Sequence, residues 1–147
     1  MTPNLLGVSH LAFSVPDMAA AARFWVEVFG FEPLPSGPEL HFLVHREARL
    51  AVVVTDHGGT VDAGFDEHHT GLDHLALAVP DPDALEQWRR RLDRHGVPHS
   101  GVVATDAGWH LNLRGPNDFP IELYAMADAF ATTLGLDPAE PAVAGHH

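Results

Sequence analysis

The segment GVSHLAFSVPD at residues 7–17 returns as GLDHLALAVPD at residues 71–81. The offset is 71 − 7 = 64 residues, and Gly7, His10, Leu11, Ala12, Val15, Pro16 and Asp17 all meet identical residues. A period that long exceeds a solenoid unit, and two copies are too few for an array. The chain is therefore built as two similar halves, with one histidine at the same place in each. Two histidines carried to equivalent positions around a pseudo-twofold axis are the beginning of a metal site.

Each heading predicts the same local order. Val8–Val15 alternates and is rich in strand formers, Pro16 ends it, and Asp17 stands where a helix N-cap belongs. Met18–Phe29 follows with Ala21, Phe24, Trp25, Val28 and Phe29 at helical spacing, and Gly30 closes it. Strands are expected at Phe31–Leu34, Leu40–Arg46 and Arg49–Thr55. The polar, Gly-rich residues 57–70 read as a linker. The second half predicts a strand at Leu72–Val79, a helix from Asp83 to Arg94, and strands at His99–Ala104, Trp109–Arg114 and Pro120–Ala125. A short helix is expected at Asp128–Leu134, and a disordered tail beyond it from about Asp137. Each half is thus a βαβββ module: one at about residues 5–56, the other at 71–127, together a single domain over residues 1–127.

Strand parity sorts the side chains into two faces. Leu11, Phe13 and Val15 oppose His10, Ala12 and Ser14; Leu75, Leu77 and Val79 oppose His74, Ala76 and Ala78. Leu111 and Leu113 oppose His110, Asn112 and Arg114, and Ile121 and Leu123 oppose Glu122 and Tyr124. One face is bulky and apolar and should pack on helices. The other is small or polar and carries His10, His74, His110 and Glu122, as a curved sheet around a solvated cavity would. Imidazole nitrogen and carboxylate oxygen suit divalent first-row metals. The residues alone equally describe strand histidines hydrogen-bonded in the interior beside a solvated glutamate.

Composition narrows the classes. Eight Lys and Arg against 20 Asp and Glu give a net charge of −12, which repels phosphate backbones and anionic lipid, so no nucleic-acid or membrane partner is expected. The chain has no cysteine, which excludes disulfides, zinc ribbons and thiol nucleophiles. MTPNLLG lacks the basic segment of a secretory signal, and a cytoplasmic location is expected.

The paired headings HLAFSVPD and HLALAVPD, the run FWVEVFGFEPL after the first helix and the closing GPNDFPIELY resemble the vicinal oxygen chelate superfamily. That superfamily includes glyoxalase I, extradiol dioxygenases, fosfomycin-resistance transferases and bleomycin-resistance proteins. The resemblance covers about residues 5–127. It implies an α+β fold of two tandem βαβββ modules forming a curved, U-shaped mixed sheet around a cleft, with helices outside, often completed as a homodimer. It also implies that His10, His74 and Glu122 ligate a divalent ion such as Fe, Mn, Ni, Co or Zn.

Departures from the family sort its members. Glyoxalase I also uses a glutamate in the last strand of its first half, but the matching strand here presents Ala51, Val53 and Thr55, with Asp56 and His57 just beyond. Fosfomycin transferases take a phosphonate anion, and Arg114 is the one cation expected on the cavity face. Three ligands with open positions are closest to the extradiol dioxygenases. His110 is expected to act with Glu122 in catalysis, as a general base or substrate-orienting group, with His41 a weaker candidate. The expected function is thus a metal-dependent lyase, isomerase or dioxygenase acting on a small oxygen-bearing molecule. The alternative is a metal-free sequestering protein of the bleomycin-resistance type.

Overall fold

The computed structural model describes residues 2–62 and 64–135. The tail expected from Asp137 lies outside them. The described elements run β1 (His10–Ser14), α1 (Met18–Glu27), β2 (Glu32–Leu34), β3 (Leu40–His45), β4 (Leu50–Thr55), β5 (Leu75–Ala78), α2 (Pro82–Arg94), β6 (His99–Thr105), β7 (Gly108–Arg114), β8 (Pro120–Met126) and α3 (Asp128–Leu134). Both halves have the expected βαβββ order. By contacts the chain divides into two compact units, Met1–Thr70 with Gly115–Phe119, and Gly71–Arg114 with Pro120–His147.

The first unit holds a four-stranded sheet in the order β1-β4-β3-β2. β1 runs parallel to β4, and the other neighbours are antiparallel. α1 begins as its sequence dictates: the Asp17 carboxylate accepts the Ala20 N–H at 2.9 Å, satisfying one donor of the open first turn. It ends where the Gly30 N–H returns to the Val26 carbonyl at 3.1 Å. The helix packs on β2, β3 and β4. Trp25 is 2% exposed and meets the rings of Phe13, Phe29 and Phe31 at centroid distances of 5.7, 5.3 and 5.2 Å. Edge-on and offset ring contacts of this kind add to burial itself.

The second unit repeats the plan. Its sheet has the order β5-β8-β7-β6, with β5 parallel to β8. Asp81 caps α2 through the Ala84 N–H at 2.8 Å, and Pro82 takes a first-turn position where no N–H is needed. Leu85 and Leu92 on α2 are fully buried, as is Leu111, while Ile121 and Leu123 are each 1% exposed. Leu111, Ile121 and Leu123 are bulky-face residues that parity selected.

Two expectations are corrected by the register. β5 starts at Leu75, so His74 precedes the strand instead of lying within it. Its parallel ladder opens with Leu75 opposite Ile121, and the preceding residue of β8 is Pro120, which has no N–H to donate. His41 pairs with Val54, on the face shared with the buried Leu43. That face packs on α1, so His41 is not on the small-residue face that carries His10.

Candidate functional site

In the first unit, β1 presents His10, Ala12 and Ser14 to one side, in register with Ala51, Val53 and Thr55 of β4. In the second, Ala76 pairs with Glu122 and Ala78 with Tyr124. Ala12 and Ala76 are equivalent in the repeat, so Val53 occupies the place in the first module that Glu122 occupies in the second. The expected absence of a carboxylate there is thereby given a position: the equivalent residue is a valine, 7% exposed.

The structure brings His74 and Glu122 together. His74 stands two residues before Ala76, on the face of its cross-strand partner Glu122, and its Nε2 lies 3.7 Å from Glu122 Oε2. That separation is too long for a hydrogen bond. Two donor atoms each about 2.1 Å from one ion sit roughly 3.0–3.4 Å apart, so the pair lies near ligating separation. The His74 side chain is 42% exposed and that of Glu122 20%, leaving the nitrogen accessible beside a half-buried carboxylate.

The opposite ring nitrogen is held in both headings. His74 Nδ1 donates to Asp73 Oδ2 at 2.7 Å, which fixes the proton on Nδ1 and leaves the Nε2 lone pair facing Glu122. His10 Nδ1 lies 2.8 Å from Ser9 Oγ. Ser9 and Asp73 are themselves 64 residues apart (73 − 9), so the orienting contact is duplicated along with the histidine. His10 belongs to the first unit and His74, His110 and Glu122 to the second.

His110 and Asn112 alternate along β7 and share one face, opposite Tyr124 and Glu122 respectively. Asn112 Nδ2 lies 3.0 Å from His110 Nδ1. Trp109 pairs with Ala125 on the helix-packed face with Leu111, so it does not line this surface. In the first unit, His57 turns back over the end of β1, with Nε2 2.9 Å from Ser14 Oγ. Its backbone is left-handed, at φ 50, and Thr55 Oγ1 accepts its N–H at 3.2 Å. Asn112 and Tyr124 were sorted by parity with no role attached. The Ser14–His57 contact has no pattern in the sequence, because it depends on a left-handed turn at a residue other than glycine.

A separate group, Asp66, Glu67 and His68, lies in the linker between the modules. Asp66 accepts both the backbone N–H and the ring of His68, at 2.9 and 2.8 Å, and these bonds hold its carboxyl below the ordinary carboxylate value. His68 is 87% exposed, and the group reads as a solvated loop held by its own hydrogen bonds.

The model of the Glyoxalase/Bleomycin resistance protein/Dioxygenase superfamily matches residues 7–123. A "trivalent organoarsenical cleaving enzyme" of Thermomonospora curvata is 28% identical over 124 residues, which is 80% of this chain and 76% of that protein. A glyoxylase/bleomycin resistance protein/dioxygenase domain from Frankia sp. EAN1pec superposes with a TM-score of 0.77 at 25% identity, covering 89% of this chain and 99% of that one. TnmS3, an antibiotic binding protein from Streptomyces sp. CB03234, does so at 0.66 with 23% identity over 86% of this chain and all (100%) of its own, a likeness of fold alone.

Proposed function

Because the chain belongs to the Glyoxalase/Bleomycin resistance protein/Dioxygenase superfamily, we propose that it is a metal-dependent enzyme acting on a small oxygen-bearing molecule, with His10, His74 and Glu122 as the protein ligands. The observation that carries the reading is the His74–Glu122 pair, held 3.7 Å apart with the far nitrogen of the imidazole tied to Asp73. A neutral imidazole lone pair beside a carboxylate is the donor set a borderline divalent ion such as Fe, Mn, Ni, Co or Zn takes. When bound, such an ion supplies Lewis-acid charge for two neighbouring substrate oxygens and for the oxyanion or enolate that forms on them.

The chain's own residues do the rest. Asp73 and Ser9 orient the two imidazoles. Small side chains at Ala12, Ala76 and Ala78 leave the faces beside them open. His110 and Tyr124, paired across β7 and β8, offer polar groups two residues along the strands from Asn112 and Glu122, on the same face. Lyase, isomerase and dioxygenase chemistries share this stage. Fold alone does not choose among them, since sites are grafted on folds. One relative narrows the substrate by contrast. Trivalent arsenic is a soft centre that favours thiolates, and this chain has no cysteine, so an oxygen chelate fits its donors better than an organoarsenical.

Among the described residues no helix is long and apolar enough to cross a membrane. A cytoplasmic homodimer taking a small molecule is the corresponding proposal for location and assembly. The net charge of −12 favours one second reading, metal-free sequestration of a cationic ligand.

Elemental analysis of protein purified without chelator or added metal separates the two. The expected result is one first-row divalent ion per site, lost in His74→Ala and in Glu122→Ala. Asp73→Asn, which only loosens the imidazole, should weaken affinity by roughly 10- to 100-fold. Metal-free protein that binds a cationic antibiotic equally well as wild type and as His74→Ala would overturn the enzyme reading.

A further inference from the structure

We infer that Asn112 is a positioning residue that holds His110 in its Nε2–H tautomer, so that His110 meets substrate as a hydrogen-bond donor instead of as a general base. The inference rests on the metal-enzyme reading for its role in catalysis, but its structural part stands on the second unit alone. Residues 110 and 112 are two apart on β7 and so emerge on the same face. The amide nitrogen of Asn112 is 3.0 Å from His110 Nδ1. An amide NH₂ has donors and no acceptor, so the ring nitrogen facing it must offer its lone pair. The single proton of the neutral ring then sits on Nε2. The sequence made His110 a candidate base because imidazoles accept protons near neutral pH. With Nδ1 occupied by an amide donor and Nε2 already protonated, neither nitrogen has a lone pair to spare.

The position gives this donor a use. His110 is the cross-strand partner of Tyr124, and Asn112 that of Glu122, so the donor lies two pairs along the ladder from the proposed carboxylate ligand, next to it on the same face. A fixed N–H on the same face as that ligand is placed to receive negative charge as it develops on a substrate oxygen. One hydrogen bond holds the Asn112 backbone in place. Its N–H donates to Ser100 Oγ at 3.0 Å, and Ser100 opens the irregularity in the β6–β7 register between His99 and Val102. The register slip in β6 therefore hands a hydroxyl to the backbone of the residue that orients His110.

The test uses the full chain, uniformly ¹⁵N-labelled and free of added metal, in a long-range ¹H–¹⁵N correlation of the imidazoles at about pH 9, where ordinary histidines are neutral. The His110 signals are the set missing from His110→Gln. In wild type, His110 Nε2 is expected at the shift of a protonated nitrogen and Nδ1 at that of a bare one. Free imidazole leans the same way, so the variants decide the matter. Asn112→Asp presents a carboxylate that can only accept, and should move the proton to Nδ1 and interchange the two shifts. Asn112→Ala should give the averaged shifts of an unconstrained ring. An Nδ1–H pattern in wild type, or His110 shifts that ignore both substitutions in folded protein, would overturn the inference. Because the readout needs no metal, loss of the metal reading and loss of this one are distinguishable.

Discussion

Gly108→Ala should destabilise the second module severely, and its cost can be worked from geometry. Gly108 is buried at the start of β7, opposite Met126 of β8, with φ at +148. A Cβ added there would lie 2.2 Å from the Ala125 carbonyl oxygen, 2.9 Å from the Ala127 nitrogen and 3.0 Å from Met126 Cα. All three are backbone atoms, so no side chain can swing aside. Restoring even a 3.0 Å approach to the Ala125 oxygen needs a displacement of 3.0 − 2.2 = 0.8 Å. Overpacking costs about 1–3 kcal/mol, and a left-handed alanine about 1–3 kcal/mol more. The same displacement would stretch the neighbouring Ala127 N–H to Ala107 carbonyl bond, now 2.9 Å, past hydrogen-bonding range. That adds about 1 kcal/mol. The sum is about 3–7 kcal/mol against the 5–15 kcal/mol typical of a whole domain. Urea denaturation followed by circular dichroism measures it. Gly101→Ala is the control, since Gly101 has a positive φ of +75 but no atom within 4 Å of the added Cβ. It should show the conformational cost without the clash. A loss below about 1 kcal/mol for Gly108→Ala, or one equal to that of Gly101→Ala, would refute the reasoning.

Two further substitutions test other parts of the structure. Asp17→Ala and Asp81→Ala each remove a side-chain cap from an exposed helix start, and each should cost about 1 kcal/mol in thermal or urea unfolding. Asp93 accepts His99 Nε2 at 2.8 Å, and this bond, with the charges of His99 and Arg89, holds its carboxyl below the ordinary 3.8. A depressed carboxyl stabilises the fold fully above its unfolded value and loses that contribution as pH falls through its folded one. Stability should therefore drop on acidification below about pH 4, and Asp93→Asn should flatten that part of the profile.

Much of the fold was legible because a period of two is hard to disguise. Leu111, Leu113, Ile121 and Leu123 were placed on the buried face by alternation alone, and all are buried. His41 was not legible. In LHFLVH apolar residues occupy both parities, so the face is decided by the register with Val54, which the sequence does not state. The strand expected at Leu72–Val79 begins only at Leu75, because a strand ends where its partner stops offering N–H groups, and here the partner begins with Pro120. Of the site, the His74–Glu122 juxtaposition follows from parity plus a parallel register. The contacts from Asp73, Asn112 and His57 depend on rotamers and one left-handed residue, and no period encodes those.

The equivalence of Val53 and Glu122 has a consequence for what a single substitution could do to such a chain. Duplication gave every address on the first sheet a twin on the second, and Ala12–Val53 and Ala76–Glu122 are one address kept in two editions. The second edition holds a carboxylate, and the first holds a packing residue at the same place. The backbone register aims position 53 as it aims position 122, so Val53→Glu would place a carboxylate at that address, at the cost of charging a site where the valine is 7% exposed. The first half thus keeps the address of a second carboxylate, with a packing residue standing on it.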